Sequence, residues 1–326
     1  MKVLLLQLDG KLPNVALMRI AAHHRERGDA VELRRAPRPE LVERRTDDDF
    51  GAVYASAIFK ATAPVADRVR EVWPSAHIGG TGVDEKSTVE SVGVFTKEQD
   101  YSIYPWFQSS IGFTQRGCRL RCGFCVVPRK EGAVQHEQSV PQLWRGEPHP
   151  RELLLLDNDF FGAPDWRDRI AEIRDGGFKV SFSQGINARM LNEESATAIA
   201  SVDYRDDGMK VRRIYTAWDN RGDERILLRG LELLKAHGVK PDHIMVYMLI
   251  GYWPGETHTD REYRRAKLRA FGARPYPMPF VRTRELVGFQ RWVIGAYDKR
   301  VPWSAWEAAR YRPERLGMGN PWQRAS

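Results

Sequence analysis
The sequence predicts an α/β protein built from two parallel-sheet units. Two observations carry that reading. Short apolar runs alternate with helical stretches up to about Asp100, and the alternation restarts near Tyr104, the rhythm of parallel sheets with helices on their faces. After the apolar runs of the second half come polar or glycine-containing turns, as expected where binding groups gather at the carboxyl ends of parallel strands.

Lys2 to Leu8 is an apolar run ended by Asp9-Gly10 and reads as a strand. A helix follows, with Leu12, Val15, Ala16, Ile20 and Ala21 on one face and Gly28 as its stop. Ala30 to Leu33 and Ala52 to Ile58 read as strands, Pro64 to Trp73 as a helix, and Ala76 to Ile78 as a strand running into Gly79-Gly80-Thr81-Gly82. A glycine cluster there lets a ligand approach the backbone, although glycine turns also arise for local reasons. In the second half the strands are Ser110–Thr114, Glu152–Leu156, Phe178–Phe182, Val211–Thr216, His243–Ile250 and Pro275–Phe280, with helices at Trp166–Arg174, Glu193–Ala200 and Arg225–His237. Six such units are too few for a closed eight-stranded barrel. From about Glu285 the chain is helical and then irregular, with Trp292, Trp303, Trp306 and Trp322 amid arginines. Those residues either stack on nucleotides or close the open side of a barrel as ordinary packing. The expected division is 1–103, 104–284 and a packed tail 285–326.

At 326 residues there is room for two domains. No apolar run approaches a membrane span, and Val3–Leu6 is too short for a signal-peptide core. The net charge of +8 comes mostly from arginine. It points either to RNA, DNA or a phosphorylated substrate or to a solvated basic surface, since the arginines are scattered.

All the cysteines, Cys118, Cys122 and Cys125, fall in Gly117-Cys118-Arg119-Leu120-Arg121-Cys122-Gly123-Phe124-Cys125. Thiols that must stay reduced place the chain in the cytoplasm. Three thiolates at this spacing can hold three irons of a 4Fe–4S cluster and leave the fourth iron open. A Cys3His zinc site completed by His136 is the alternative on ligand type, although zinc sites more often use two C-x2-C arms. It would make the chain a zinc-stapled nucleic-acid-binding protein.

The cysteine motif, with an aromatic at Phe124, resembles that of the radical S-adenosylmethionine (SAM) superfamily. The resemblance implies that the open iron chelates the amino and carboxylate groups of SAM. An electron from a flavodoxin- or ferredoxin-type donor then cleaves the sulfonium, and a 5′-deoxyadenosyl radical attacks an unreactive carbon of the substrate. It also implies a partial (β/α)6 TIM-type barrel for the second unit.

Other strand ends fit the same family. Asp157, Asn158 and Asp159 stand where the family contacts the SAM amino group, or form an Asx turn. Ser181-Phe182-Ser183-Gln184-Gly185 followed by Asn187 and Arg189 is similar to the segment of cobalamin-associated members, with Arg189 suited to the SAM carboxylate. Asp219, beside Trp218, stands where the family contacts the ribose. Leu249 to Thr257 looks like the family's fifth-strand segment, with Ile250 and Gly251 against the adenine and one residue inserted before Pro254. Glu256 suits the following helix dipole. Arg129 and Lys130 either meet an anionic substrate or form a solvated basic turn. Tyr247 and Tyr252 are the candidate hydrogen donors to a product radical.

The first unit looks like the Rossmann-like (flavodoxin-like) cobalamin-binding domain that precedes many such cores, with Gly79 and Gly80 at the expected cobalamin contact. The family's cobalt-ligating histidine after the first strand is absent: the stretch is Asp9-Gly10-Lys11-Leu12-Pro13-Asn14. If cobalamin binds, methylation is the expected reaction; modification of a nucleobase or RNA is the alternative. No cysteines remain for a second cluster, which disfavours methylthiotransferases.

Overall fold
Val3 to Leu6 are apolar on both sides of the strand, so helices must cover both faces of the sheet around them. That is the arrangement in the computed structural model, which describes residues 1–318. The chain is α/β with mostly parallel sheets, and it divides into two compact units.

The first unit contains β1 (Lys2–Gln7), α1 (Val15–Glu26), β2 (Ala30–Arg35), β3 (Ala52–Ser56), α2 (Ala63–Val72), β4 (His77–Gly79), the short β5 (Ser110–Gly112) and the one-turn α3 (Val127–Lys130). β1 pairs in parallel with β2 and β3, and β3 with β4, giving the order β2-β1-β3-β4. Leu4 and Leu6 pack with Val65 and Val69 of α2, while Val3 and Leu5 pack with Leu17 and Ile20 of α1. Asn14 caps α1 by accepting from the Leu17 N–H, and Gly28 follows the helix at φ +80°.

The expected boundary fell at 103, whereas the first unit runs to Gly112 and also takes 125–132 and 146–150. The reason is local. The buried Tyr104 hydroxyl donates to Gln7 Oε1 (3.0 Å) and accepts from Asn14 N–H (3.2 Å), and the Tyr101 hydroxyl meets the Ile111 N–H (3.0 Å).

In the second unit, β6 (Gln115–Arg116) and β7 (Gln135–His136) form a small antiparallel pair, and α4 (Val140–Leu143) follows. Then come β8 (Glu152–Leu155), α5 (Trp166–Asp175), β9 (Lys179–Phe182), α6 (Glu193–Ser201), β10 (Asp203–Tyr204), β11 (Ile214–Ala217) and α7 (Glu224–Ala236). The unit ends with β12 (Ile244–Ile250), α8 (His258–Phe271), β13 (Arg274–Pro279), α9 (Arg284–Ile294) and α10 (Trp303–Ala308). β8, β9 and β10 pair in parallel, as do β11, β12 and β13. An Ile186 N–H to Tyr215 C=O bond (2.8 Å) ties the end of β9 to β11. The expected strand at Val211–Thr216 begins three residues late, because Asp206 accepts the Lys210 and Val211 N–H groups in a turn. Trp292, Trp303 and Trp306 belong to the packed core and its margin, whereas Trp322 lies outside the described residues.

β12 shows how the unit splits its faces. Ile244, Val246, Met248 and Ile250 are buried against helices, and Met245, Tyr247 and Leu249 are only half-buried on the other side. No described helix is long and apolar enough to cross a membrane.

Gly230 in α7 sets how closely that helix approaches the turn after β9: a Cβ there would lie 1.9 Å from the Ala188 carbonyl oxygen. Alanine normally improves a helix interior by about 1 kcal/mol, but overpacking costs about 1–3 kcal/mol. Gly230→Ala is therefore expected to lower the urea midpoint of unfolding, and an unchanged or raised midpoint would contradict this packing.

Candidate functional site
The cysteine loop is irregular backbone that turns at Gly117 (φ +84°) and is held from the end of β8. Asp157, buried, accepts from the Thr114 N–H (2.8 Å), the Gln115 N–H (3.3 Å) and the Thr114 hydroxyl (2.5 Å). Asp159, also buried, accepts from Arg119 through N–H (3.1 Å), Nε (2.8 Å) and Nη2 (3.0 Å). Gly162 makes room for that clamp, since a Cβ there would lie 2.3 Å from the Asp159 carboxylate. The expected contact of this trio with a bound ammonium therefore meets a different use: both aspartates serve the chain's own donors. Asn158 between them is half-buried.

The other strand ends close on the same loop. Arg189 places Nη1 on Asp223 (2.6 Å) and Nε on Asn187 Oδ1 (3.1 Å). Burial works against its charge, but Asp223 and then the Cys122 sulfur outweigh it and raise the pKa. Asp219 is half-buried, and burial raises its pKa against the opposing pull of Arg189. Trp253 Nε1 donates to the Asp219 carbonyl (2.7 Å). The Phe124 and Tyr252 rings meet edge to face at 5.4 Å, and Tyr252 meets Phe280 at 4.8 Å. Tyr252 thus lies beside the cysteine loop, while Tyr247 stacks on Tyr215 at 5.7 Å, on the half-open face of the sheet.

Ile250 is fully buried and Gly251 turns the chain at φ +75°. Glu256 departs from the expected dipole role. It precedes the Thr257 cap of α8 and takes the Gly251 N–H (2.6 Å) and Arg264 instead. Arg264, buried, donates to the Trp218 and Leu249 carbonyls, each at 2.9 Å, and so joins the ends of β11 and β12.

Ser183 is buried and donates to Asp207 (3.2 Å), as does Ser181 (2.7 Å); Gln184 is exposed. Burial raises the Asp207 pKa above the ordinary carboxylate range. Sequence reasoning missed Asp207, and its only signal was the Asp206-Asp207 pair following a short apolar stretch.

In the first unit, a Cβ at Gly80 (φ +103°) would lie 2.3 Å from the Ala57 carbonyl oxygen, and one at Gly82 would lie 2.4 Å from that of Phe59. Gly79 has Ser87 Oγ at 3.0 Å from its would-be Cβ. These glycines serve close packing of the chain on itself. Asp9 accepts from the Ile58 and Phe59 N–H groups (2.9 Å each) and the Thr62 hydroxyl (2.8 Å). That carboxylate lies at the β1/β3 switch point, where ligands of open α/β sheets bind. No histidine follows β1, so a cobalamin there would bind without a protein ligand to its cobalt. Arg129 pairs with Glu85 (3.1 Å) and Lys130 with the Thr81 hydroxyl (3.0 Å), so the basic turn is engaged internally.

Whether the thiols suit an iron–sulfur cluster rests on donor chemistry. All three are half-buried thiols outside any disulfide. Each has an arginine in electrostatic reach, Arg119 at Cys118, Arg189 at Cys122 and Arg129 at Cys125, which complements thiolate charge. Among the described residues no three His, Cys, Asp or Glu side chains are grouped to hold a metal ion. His136 bonds Asp165 at 2.9 Å. No family model, curated protein or solved structure matches the chain.

Burial pushes the Asp157 pKa up to about 7, only partly offset by the Thr114 and Gln115 bonds. Below that value the folded chain keeps a proton that the unfolded chain releases near the ordinary value of 3.8, so the stability of neutral Asp157 is lost as pH rises through about 7. Urea unfolding at about pH 5.5 and about pH 8 should show a larger loss with rising pH for the unaltered chain than for Asp157→Asn. Equal losses would show that Asp157 ionises normally.

Proposed function
We propose that the chain is a radical SAM enzyme that modifies an unreactive carbon of its substrate. The observation that carries this is the spacing of Cys118, Cys122 and Cys125 around Phe124, in a chain without other thiols. The order β2-β1-β3-β4 supports a flavodoxin-like reading of the first unit, and the parallel runs β8-β9-β10 and β11-β12-β13, tied through Ile186, support a partial barrel in the second. Neither carries the proposal alone, since folds host many activities.

When bound, the cluster and SAM supply one-electron reductive cleavage and a carbon radical that abstracts hydrogen. In this reading Cys118, Cys122 and Cys125 are the iron ligands. Arg189, oriented by Asp223 and Asn187, presents its fork to the SAM carboxylate. Asp157 and Asp159 are committed to Thr114, Gln115 and Arg119, so we assign Asn158 to the ammonium group. Asp219 accepts from the ribose hydroxyls, and backbone at Ile250–Gly251 faces the adenine. Reduction requires a flavodoxin- or ferredoxin-type partner in a reducing compartment, the cytoplasm. The reading does not require cobalamin, for which no histidine follows β1 to ligate the cobalt. Asp165 bonds Nδ1 of His136 (2.9 Å), as carboxylates do for zinc-ligating histidines, so the metal that the protein holds separates the zinc alternative from this reading.

Anaerobic reconstitution with iron and sulfide, then reduction with SAM, should yield 5′-deoxyadenosine. The chain with all three cysteines changed to alanine should yield none. A colourless protein that holds zinc and leaves SAM intact would overturn the reading. Arg189→Ala should weaken SAM binding by about tenfold or more, the worth of a charge-assisted hydrogen bond, with iron content unchanged. Unaltered SAM affinity would remove Arg189 from the site.

A further inference from the structure
α9 and the turn that follows α10 line a half-open pocket of about 440 Å3, within the size range of small-ligand pockets. Its walls include four arginines, Arg284 and Arg291 from the helix and Arg310 and Arg312 from the turn, with Tyr311 and Gly288 between them. Guanidinium groups stay charged at every working pH, so four around one space repel each other. Several other arginines of this unit are answered by carboxylates, as in Arg189–Asp223 and Arg269–Asp298. Here, among the described residues, none of the four is in an ion pair. Of the neighbouring acids, Glu285 pairs with Arg261 and Glu307 accepts the Tyr311 hydroxyl (3.3 Å), while Glu314 lies two residues beyond Arg312.

The cavity is also built at some cost. Arg310 (φ +54°) and Tyr311 (φ +61°) are consecutive residues in the left-handed region, which side chains disfavour. The turn is held there by N–H bonds from Arg310 to the Glu307 carbonyl (2.7 Å) and from Tyr311 to the Trp306 carbonyl (3.0 Å). Tyr311 stacks on Trp303 (5.5 Å), which stacks on His258 (4.7 Å), and Arg284 lies over the Tyr311 ring at 5.9 Å. Gly288 lets that ring seat, since a Cβ there would come within 2.6 Å of it. Strained backbone carrying charged side chains on a rigid aromatic column is characteristic of a ligand clamp.

We propose that this cavity is a phosphate site. Planar guanidinium forks match phosphate oxygens bidentately, and a dianion or larger answers the unbalanced charge. Two sources share that chemistry, a phosphorylated small molecule and the backbone of a nucleotide strand. The site does not depend on a cluster at the cysteines.

The test is calorimetric titration of the full chain with pyrophosphate and, separately, with a short single-stranded oligoribonucleotide. Arg291→Gln and Arg312→Gln alter exposed side chains, and thermal unfolding without ligand checks that both variants fold. Arg300→Gln, an exposed arginine outside the cavity lining, removes the same charge as a control. Saturable pyrophosphate binding is expected, weakened about tenfold or more by each cavity substitution and unchanged by the control. Tighter oligonucleotide binding with the same pattern of losses would assign the phosphate to a strand. Absence of both ligands, equal weakening in the control, or binding indifferent to Arg291 and Arg312 would overturn the site.

Discussion
The second unit takes two carboxylates out of water at the end of β8, and the position of the cysteine loop depends on how each is compensated. Burying an uncompensated carboxylate costs more than a fold can spare. Asp159 is answered by a guanidinium and an N–H of Arg119, so its charge is kept. Asp157 has no guanidinium in direct contact, and burial pushes its pKa up to about 7 against the pull of the Thr114 and Gln115 bonds. The pair grips the chain on both sides of Gly117 and Cys118.

The same economy recurs at the neighbouring strand ends. Arg264 has its buried charge met by Glu256 and two carbonyls, and in return it fixes the mouths of β11 and β12 to each other. Arg189 is oriented by Asp223 and Asn187 before any ligand arrives. Such preorganisation removes the entropy of ordering a long side chain at the moment of binding. Tyr215 of β11 stacks on Tyr247 of β12, and Tyr276 of β13 meets Tyr247 edge-on at 5.5 Å.

Local signals made much of this legible. The apolar alternation of β12, the double-sided burial of β1 and the glycine stop after α1 are written within a few residues of where they act. The cysteine spacing belongs to the same class. What escaped notice depends on partners distant along the chain. Asp207 gains its role from Ser181 and Ser183, and Glu256 from Arg264 on the far side of a turn. A pattern shows that Gly79-Gly80 is a turn, but only the tertiary approach of Ala57 shows that the chain itself fills the space. For the same reason the spacing of Asp157 and Asp159 left a ligand and a local turn both open, and only the tertiary contacts show them bonded to Thr114, Gln115 and Arg119.

The carboxylate of Asp9 sits among the Ile58 and Phe59 amides and the Thr62 hydroxyl, where a sheet of this order would offer its donors to a visitor. That carboxylate ties the turn after β1 to the turn after β3, so one short side chain fixes the spacing of the two loops.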